Sequence, residues 1–114
     1  MEIAHTKLSN GIDLLKLKGR LDIIGTGEIE TKFAAYCSGD QSRVVVEMSG
    51  VDYLASIGIR LLMINAKSLA SRKGKMAIIN PSPEVLNVLE IAGITSVIPV
   101  YSHMESAEAV LLNS

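Results

Sequence analysis

The distribution of apolar residues predicts five strands along the chain. Residues 44–48 (VVVEM) and Lys75–Ile79 (KMAII) are apolar runs with little alternation, which is typical of strands buried on both faces. Weaker patterns predict strands at Glu2–Lys7, at residues 12–18 and at residues 97–101. The two strong runs indicate a sheet that is covered by helices.

Two local signals orient these strands. Asn10 and Gly11 supply the positive φ angles of a tight turn, which predicts an antiparallel hairpin between the first two strands. Pro99 has no backbone N–H to donate, so the last strand should lie at an edge of the sheet. The remaining strands are separated by helical segments, which favours parallel pairing.

The first two helices are expected on either side of the strand at residues 44–48. One should cover residues 27–36, with Thr26 as its N-cap and Ile29, Phe33 and Ala34 facing inward. The strand at residues 44–48 should end near Ser49 and Gly50. A short turn should then lead into a second helix, from Ser56 to about residue 73.

Two shorter helices are expected towards the C-terminus. Ser82 as N-cap and Pro83 at the first helical position predict a helix that stops at Ala92 and Gly93. The capping-box spacing from Ser102 to Glu105 begins the last helix, which should run to Leu112. The predicted class is therefore α/β, a single domain over residues 1–114 with the order ββαβαβαβα: a mixed, mostly parallel sheet packed with about four helices.

The helix that begins at Ser56 has more than one apolar face. Successive residues lie about 100° apart around a helix axis. One broad face should pack on the core: Ile59, Leu62, Met63, Ala66, Leu69 and Ala70. A polar strip contains Ser56, Arg60, Lys67 and Ser71, and beyond it lies a second apolar stripe of Ile57, Leu61 and Ile64. Either a neighbouring helix covers this stripe, or the stripe binds another protein with Ser56 and Arg60 at its border.

Composition and charge exclude several classes of protein. The 12 acidic and 11 basic residues nearly cancel, so no charge pattern argues for nucleic acid or an anionic membrane as partner. Apolar runs are only a few residues long, whereas a membrane span needs about 18. Neither a signal peptide nor a cysteine pair is expected, because the start is not basic and Cys37 stands alone. These features predict a cytoplasmic protein.

Few residue combinations suggest catalysis. His5 and His103 lie near opposite ends of the chain with no ligand-spaced Cys or carboxylate, so neither a metal site nor a histidine catalyst is expected. Residues 25–27 (GTG) precede a helix but lack the third glycine of a dinucleotide motif. The chain is therefore expected not to be an enzyme and to use no cofactor.

Residues 44–59 (VVVEMSGVDYLASIGI) resemble the central motif of the STAS family, the bacterial anti-sigma-factor antagonists. In that family a V-V-V-D-L strand is followed by a turn and then by D-S-S/T-G, whose first hydroxyl residue is phosphorylated. Aligning on Gly58 places the phosphoacceptor at Ser56. Residues 19–22 (GRLD) are similar to the family's G-x-L-D, whose acid lies beside the phosphorylation site, so Asp22 is a candidate site residue. The resemblance covers nearly the whole chain and implies a STAS-like (SpoIIAA-like) fold.

The chain departs from the family motif at two positions beside Ser56. Ala55 stands where the family usually has Asp, and Ile57 stands where it often has Ser or Thr. Ile57 also enlarges the second apolar stripe, which favours a docking surface. The residues predicted to contact a partner are Asp22, Leu54, Ala55, Ser56, Ile57, Gly58, Arg60, Leu61 and Ile64.

The resemblance implies an anti-sigma-factor antagonist that acts by partner switching. Unphosphorylated, it would bind an anti-sigma serine kinase; phosphorylation of Ser56 would end the interaction, and a metal-dependent phosphatase would restore it. The alternative is a STAS scaffold subunit of a transporter, lipid-trafficking or signalling complex that is never phosphorylated. The stripe also predicts that Leu61→Asp leaves the domain folded but abolishes partner binding.

Overall fold

The computed structural model describes residues 1–113, which follow the predicted element order. The strands are β1 (Glu2–Lys7), β2 (Asp13–Leu21), β3 (Arg43–Leu54), β4 (Lys75–Ile79) and β5 (Val100–Tyr101). The α-helices are α1 (Ile23–Tyr36), α2 (Ser56–Ser71), α3 (Pro83–Ile91) and α4 (Met104–Leu112), and a 3₁₀ turn covers Ile94–Ser96.

The sheet has the mixed topology that the sequence predicted. Its strand order is β1-β2-β3-β4-β5, with β1 antiparallel to β2 and every other pair parallel. The hairpin turn is closed by the side chain of Asn10, whose Oδ1 accepts from the Ile12 backbone N–H at 3.1 Å. The strand that follows Pro99 is an edge strand, as predicted, and the Pro99 carbonyl accepts from the Ile78 N–H at 2.9 Å.

Helices cover both faces of the sheet, but unequally. Val44, Val46 and Met48 point to one face, where they share a core with residues of α1, α2 and α3. Val45 points to the other face and joins a smaller cluster with Ala107 and Leu111 of α4. This division explains the unbroken apolar run of β3, since side chains on both sides of the strand are buried.

Two strands are longer than predicted, and this brings the candidate site together. β2 continues to Leu21 instead of ending at residue 18, and β3 continues to Leu54 instead of ending near Ser49 and Gly50. The extensions pair with each other, with Arg20 opposite Tyr53 and Leu21 opposite Leu54. The backbone groups of β2 and β3 are hydrogen-bond partners of each other, so a polar residue or a glycine in one strand does not end the pairing.

Several local predictions about helices were wrong. α1 begins at Ile23, and its N-cap is Asp22 instead of Thr26. The last helix begins at Met104 after His103, with no side-chain cap, so Ser102 does not act as predicted. Ala34 and Ala70, expected to face inward, are exposed. Within residues 1–113, no helix combines the length and hydropathy that crossing a membrane requires.

Candidate functional site

The first turns of α1 and α2 lie side by side at the carboxyl ends of β2 and β3. β2 and β3 are parallel neighbours, so the helices that follow them begin at the same end. The contact is direct, because the Ala55 backbone N–H donates to the Leu21 carbonyl at 3.0 Å. The predicted proximity of Asp22 to Ser56 therefore follows from the pairing of the two strands.

Both helices begin with the same spacing of residues. In α1 the run is Asp22 at the N-cap, then Ile23, Ile24 and Gly25; in α2 the residues from the N-cap are Ala55, Ser56, Ile57 and Gly58. Each run places isoleucine at the second helical position and glycine at the third.

The two glycines allow close approach of the helices to the strand ends. A Cβ on Gly25 would lie 1.8 Å from the Arg20 carbonyl oxygen. A Cβ on Gly58 would lie 2.8 Å from both the Leu21 Cβ and the Leu54 Cδ1. Gly58, predicted to contact a partner, is buried in this chain, where it lets α2 pack closely on the sheet.

Asp22 completes the start of α1. Its Oδ1 accepts from the Gly25 backbone N–H at 2.8 Å, and its Oδ2 accepts from the Arg20 Nε at 3.3 Å. The Gly25 N–H is the main reason that the pKa of the Asp22 carboxyl lies below its ordinary value; desolvation opposes this effect and Arg20 adds to it. The Arg20 guanidinium also lies over the Tyr53 ring, 4.4 Å from its centroid.

The start of α2 is left open. The N-cap position is Ala55, which has no side chain that could cap, and Ser56 is the first helical residue rather than the N-cap itself. Ser56 is exposed, and within residues 1–113 its hydroxyl makes no hydrogen bond. The backbone N–H groups of Ser56 and Ile57 also lack acceptors in that range. The start of α2 therefore has an exposed serine and two N–H groups that no other described residue occupies.

The outward face of α2 agrees only in part with the predicted stripe. Ile57 is 37% exposed, Ile64 is 52% exposed, and Arg60 is exposed as well. Leu61 is only 7% exposed and belongs to the main core, so the prediction that it forms an exposed stripe with Ile57 and Ile64 is wrong. Leu54, at 5% exposed, is likewise a core residue. A charge at position 61 would enter the core, and Leu61→Asp should therefore unfold the domain.

Sequence reasoning missed an exposed apolar pair at the start of α1. Ile23 and Ile24 are 76% and 75% exposed at the first two positions of α1, and Tyr53, 45% exposed, lies at the end of β3. If Asp22 had been identified as the N-cap, the two isoleucines that follow it would have been predicted to lie in the first turn of α1. These three residues and Ile57 are the exposed apolar residues of the two adjoining helix starts.

His5 and Cys37, two other residues named in the sequence analysis, have structural roles. His5 Nε2 lies 2.7 Å from Asp13 Oδ1, and its ring stacks on Tyr36 with centroids 4.4 Å apart. Cys37 is buried, and burial raises the pKa of its thiol to about 12. Within residues 1–113, no three His, Cys, Asp or Glu side chains are grouped as metal ligands.

Comparison with known proteins places this geometry in a family. The family model described as the STAS domain matches residues 4–107. The chain is 30% identical over 109 residues to the "Putative anti-sigma factor antagonist BtrV" of Bordetella bronchiseptica, covering 96% of this chain and 93% of that protein. It is 26% identical over 82 residues to an anti-sigma F factor antagonist of Lysinibacillus sphaericus, covering 71% and 70% of the two chains.

Solved structures show the same fold. A STAS domain protein from Planctomyces limnophilus superposes with a TM-score of 0.86 at 24% identity, over 96% of this chain and 97% of that one. SpoIIAA in its unphosphorylated form gives 0.78 at 19% identity, over 96% of each chain. The murine anion transporter Slc26a9 gives 0.77 at 17% identity, over 91% of this chain but only 18% of the transporter. The STAS domain model over residues 4–107 and the 30% identical relative from Bordetella bronchiseptica show that the chain belongs to the STAS domain family.

Proposed function

We propose that this protein is an anti-sigma-factor antagonist that acts by partner switching, with Ser56 as the phosphoacceptor. The observation that carries the proposal is the Ser56 hydroxyl, exposed and without a hydrogen-bond partner in residues 1–113, at the uncapped start of α2. A kinase can reach such a hydroxyl without opening the fold.

Two kinds of similarity support the role. The relatives in Bordetella bronchiseptica and Lysinibacillus sphaericus bear the name of anti-sigma-factor antagonists. SpoIIAA, which shares the fold, has been solved in unphosphorylated and phosphorylated forms. Ser56 is the hydroxyl that the resemblance assigns to phosphorylation.

The start of α2 suits a phosphate group. A phosphoserine adds a charge of about −1.5 to −2, which the N-terminal end of a helix stabilises through free N–H groups and the helix dipole. The first turn of α2 contains no acidic residue that would repel the phosphate. Arg60, one turn further along, presents a guanidinium at the i+4 position. The fold should therefore tolerate phosphorylation.

The same charge should prevent docking. Ile57, next to Ser56 in the sequence, is exposed, and the adjoining start of α1 exposes Ile23 and Ile24. A protein that covers these side chains would have to desolvate the phosphate, which is costly without a paired cation. Phosphorylation would thus oppose association while leaving the domain folded.

In the proposed cycle this chain is the substrate and has no catalytic activity of its own. The anti-sigma kinase transfers the γ-phosphoryl group of its Mg²⁺-bound ATP to the Ser56 oxygen, the hydroxyl proton passes to the kinase, and ADP leaves. A metal-dependent phosphatase hydrolyses the ester with water, which regenerates the hydroxyl and releases inorganic phosphate.

Incubation with the purified anti-sigma kinase of the same genome and Mg²⁺-ATP tests the proposal. Intact mass should show one added phosphate on the wild-type protein and none on Ser56→Ala. In titrations with the same kinase and ADP, Ser56→Ala should bind like wild type and Ser56→Asp should bind more weakly. Absence of both binding and phosphate transfer would contradict the proposal.

A scaffold subunit is the second candidate, because the same fold occurs within the transporter Slc26a9. That role predicts no phosphate transfer and no effect of Ser56→Asp on assembly. The kinase experiment therefore separates the two candidates.

A further inference from the structure

Strand β4 lacks a neighbour along the first part of its outer side. Successive residues of a strand direct their backbone groups to alternate sides. Lys75 donates its backbone N–H to the Ser42 carbonyl at 2.9 Å, on the side of β3, and Ile78 donates to the Pro99 carbonyl at 2.9 Å, on the side of β5. By this alternation Met76 faces the β5 side, where β5 pairs only with Ile78 and the residue after it.

The backbone groups of Met76 therefore have no partner on that side. Its N–H donates to no carbonyl within residues 1–113. In a parallel ladder the residue that accepts from Ile78 would donate its own N–H to Met76, but that residue is Pro99, which has none. Met76 is only 5% exposed, and buried backbone groups are nearly always hydrogen-bonded. The unpaired N–H and C=O form a template for another extended backbone.

An apolar pocket opens at this gap in the sheet. Its volume is about 340 Å³, which lies near the lower end of the range for ligand sites, roughly 300–1,000 Å³. Val97 and Val110 line it and are 49% and 44% exposed, so the apolar surface continues to its rim. Besides Met76, its apolar walls come from α2, α4 and the segment before β5: Ala66, Ala70, Val97, Pro99, Val110 and Leu111.

Two lysines give the pocket a positive charge. Lys67 of α2 and Lys75 of β4 line it together with no acidic residue, and neither lysine forms an ion pair with the described part of the chain. Lys75 also lines a neighbouring cleft with Arg43 and Lys73. The chain as a whole has nearly balanced charges, so this local excess of cations favours an anionic ligand.

We propose that this pocket binds the free C-terminus of a polypeptide whose last two residues are apolar. If the peptide runs antiparallel to β4 with its penultimate residue opposite Met76, that residue exchanges both hydrogen bonds with Met76. The last residue then lies beside Lys75, where its carboxylate is attracted by Lys75 and Lys67. Strand addition and capture of a terminal carboxylate are both recurring modes of peptide recognition.

The end of a chain suits this gap better than a long added strand. Only Met76 is unpaired on the outer side of β4 before β5 begins, so the sheet has room for the backbone of about one residue. The pocket is also separate from the proposed phosphoacceptor, because Ala66 lies ten residues beyond Ser56, or about 15 Å along α2. The proposal therefore does not rest on the proposed function.

NMR titration of the isotope-labelled protein with the peptide acetyl-Ala-Val-Val, which has a free carboxylate, tests the proposal. The amide proton of Met76 should shift downfield and saturate as it gains a hydrogen bond. The same peptide as a C-terminal carboxamide should bind about tenfold more weakly, because it loses the attraction to two lysines. N-acetylvaline lacks the penultimate residue that pairs with Met76 and should also bind at least about tenfold more weakly.

Three substitutions assign the binding to this pocket. Lys67→Gln and Lys75→Gln should each raise the Kd of acetyl-Ala-Val-Val about two- to fivefold. Lys32→Gln is the matched control, because Lys32 is exposed on α1 and does not line the pocket; its Kd should equal that of wild type. Ala70→Phe fills the pocket from an exposed position of α2 and should abolish binding while the melting temperature stays near that of wild type.

Three results would overturn the proposal. The first is the absence of a saturable shift at Met76, and the second is an equal Kd for the free peptide and its carboxamide. The third is an equal Kd for N-acetylvaline and the peptide, which would assign the pocket to a small acylated amino acid instead of a polypeptide. None of these results would affect the proposed function at Ser56.

Discussion

The first turns of α1 and α2 share a design but differ in how they are capped. Both follow parallel strands, and both place isoleucine and then glycine after the first helical residue. α1 is capped by the Asp22 carboxylate, whereas Ala55 leaves α2 without a side-chain cap and Ser56 without a hydrogen bond in residues 1–113. The two helix starts thus pack on the sheet in the same way, but only α1 has a side-chain N-cap, and the first turn of α2 keeps N–H groups without acceptors.

This difference gives a physical meaning to Ala55, which stands where STAS proteins usually have Asp. An acid at this N-cap could accept the N–H groups of the first turn, as Asp22 does in α1. Without it, those donors remain for another anion. The departure from the family motif therefore leaves the first-turn N–H groups beside the proposed phosphoacceptor free to bind another anion.

The largest losses of stability should come from replacing Gly25 or Gly58, the glycine at the third position of each helix, with alanine. Gly25→Ala should destabilise most, since its Cβ would overlap the Arg20 carbonyl, and Gly58→Ala should cost about 1–3 kcal/mol of unfolding free energy. Gly27→Ala is the control in α1, because no atom lies within 4 Å of its added Cβ, and it should be neutral or slightly stabilising. Urea unfolding measures all three. Equal stability of Gly58→Ala and Gly27→Ala would show that α2 does not need this close approach.

Introducing a cap at position 55 should make the two helix starts alike. Ala55→Asp should raise the unfolding free energy by about 1 kcal/mol, since the new carboxylate accepts first-turn N–H groups. Ala55→Asn provides the cap without the charge and separates the hydrogen bond from the dipole effect. Thermal melts of the two variants at low and high salt measure the hydrogen-bond contribution and the salt-dependent charge contribution. A loss of stability in both variants would mean that the start of α2 cannot accommodate a side-chain cap.

Removing the α1 cap should make the opposite change. Asp22→Ala should lower the melting temperature by a few degrees, because Gly25 loses its acceptor. The lowered pKa of Asp22 means that its ionised form stabilises the fold above the unfolded pKa, and this stabilisation is lost as the pH falls through the folded value.

The pH dependence of the melting temperature, compared between wild type and Asp22→Asn, tests whether the charge of Asp22 is involved. Any melting-temperature advantage of wild type over Asp22→Asn should be present at pH 7 and decrease below about pH 4. A pH-independent difference between them would indicate that the charge of Asp22 is not involved.

The smallest effect concerns a negative charge at position 56. Ser56→Asp should stabilise the domain by about 0.3–1 kcal/mol through the helix dipole, and part of this gain should disappear in the double variant with Arg60→Gln. Ser56→Asn is the uncharged control. If Ser56→Asp lowered the stability of the domain at low salt, the start of α2 would not stabilise a negative charge.

The sequence by itself determined the order of the elements and the place where α2 begins. These features depend on local runs of apolar residues and on the Asn10, Ser82 and Pro99 signals, and the structure reproduces them. The position of Ser56 at a helix start is such a local property. Asp22 as N-cap was also within reach of local reasoning, but the strand before it was expected to end too early.

Only the tertiary structure decided which residues of the site are accessible. β2 and β3 reach Leu21 and Leu54 because each supplies the other's hydrogen bonds, and no pattern within one strand contains that information. Leu61 has the spacing of an exposed stripe, yet it is buried in the core shared with α1, whereas Ile57 and Ile64 stay exposed. Periodicity sorts the faces of a helix, but the neighbours that cover each face are set by packing between elements distant in sequence.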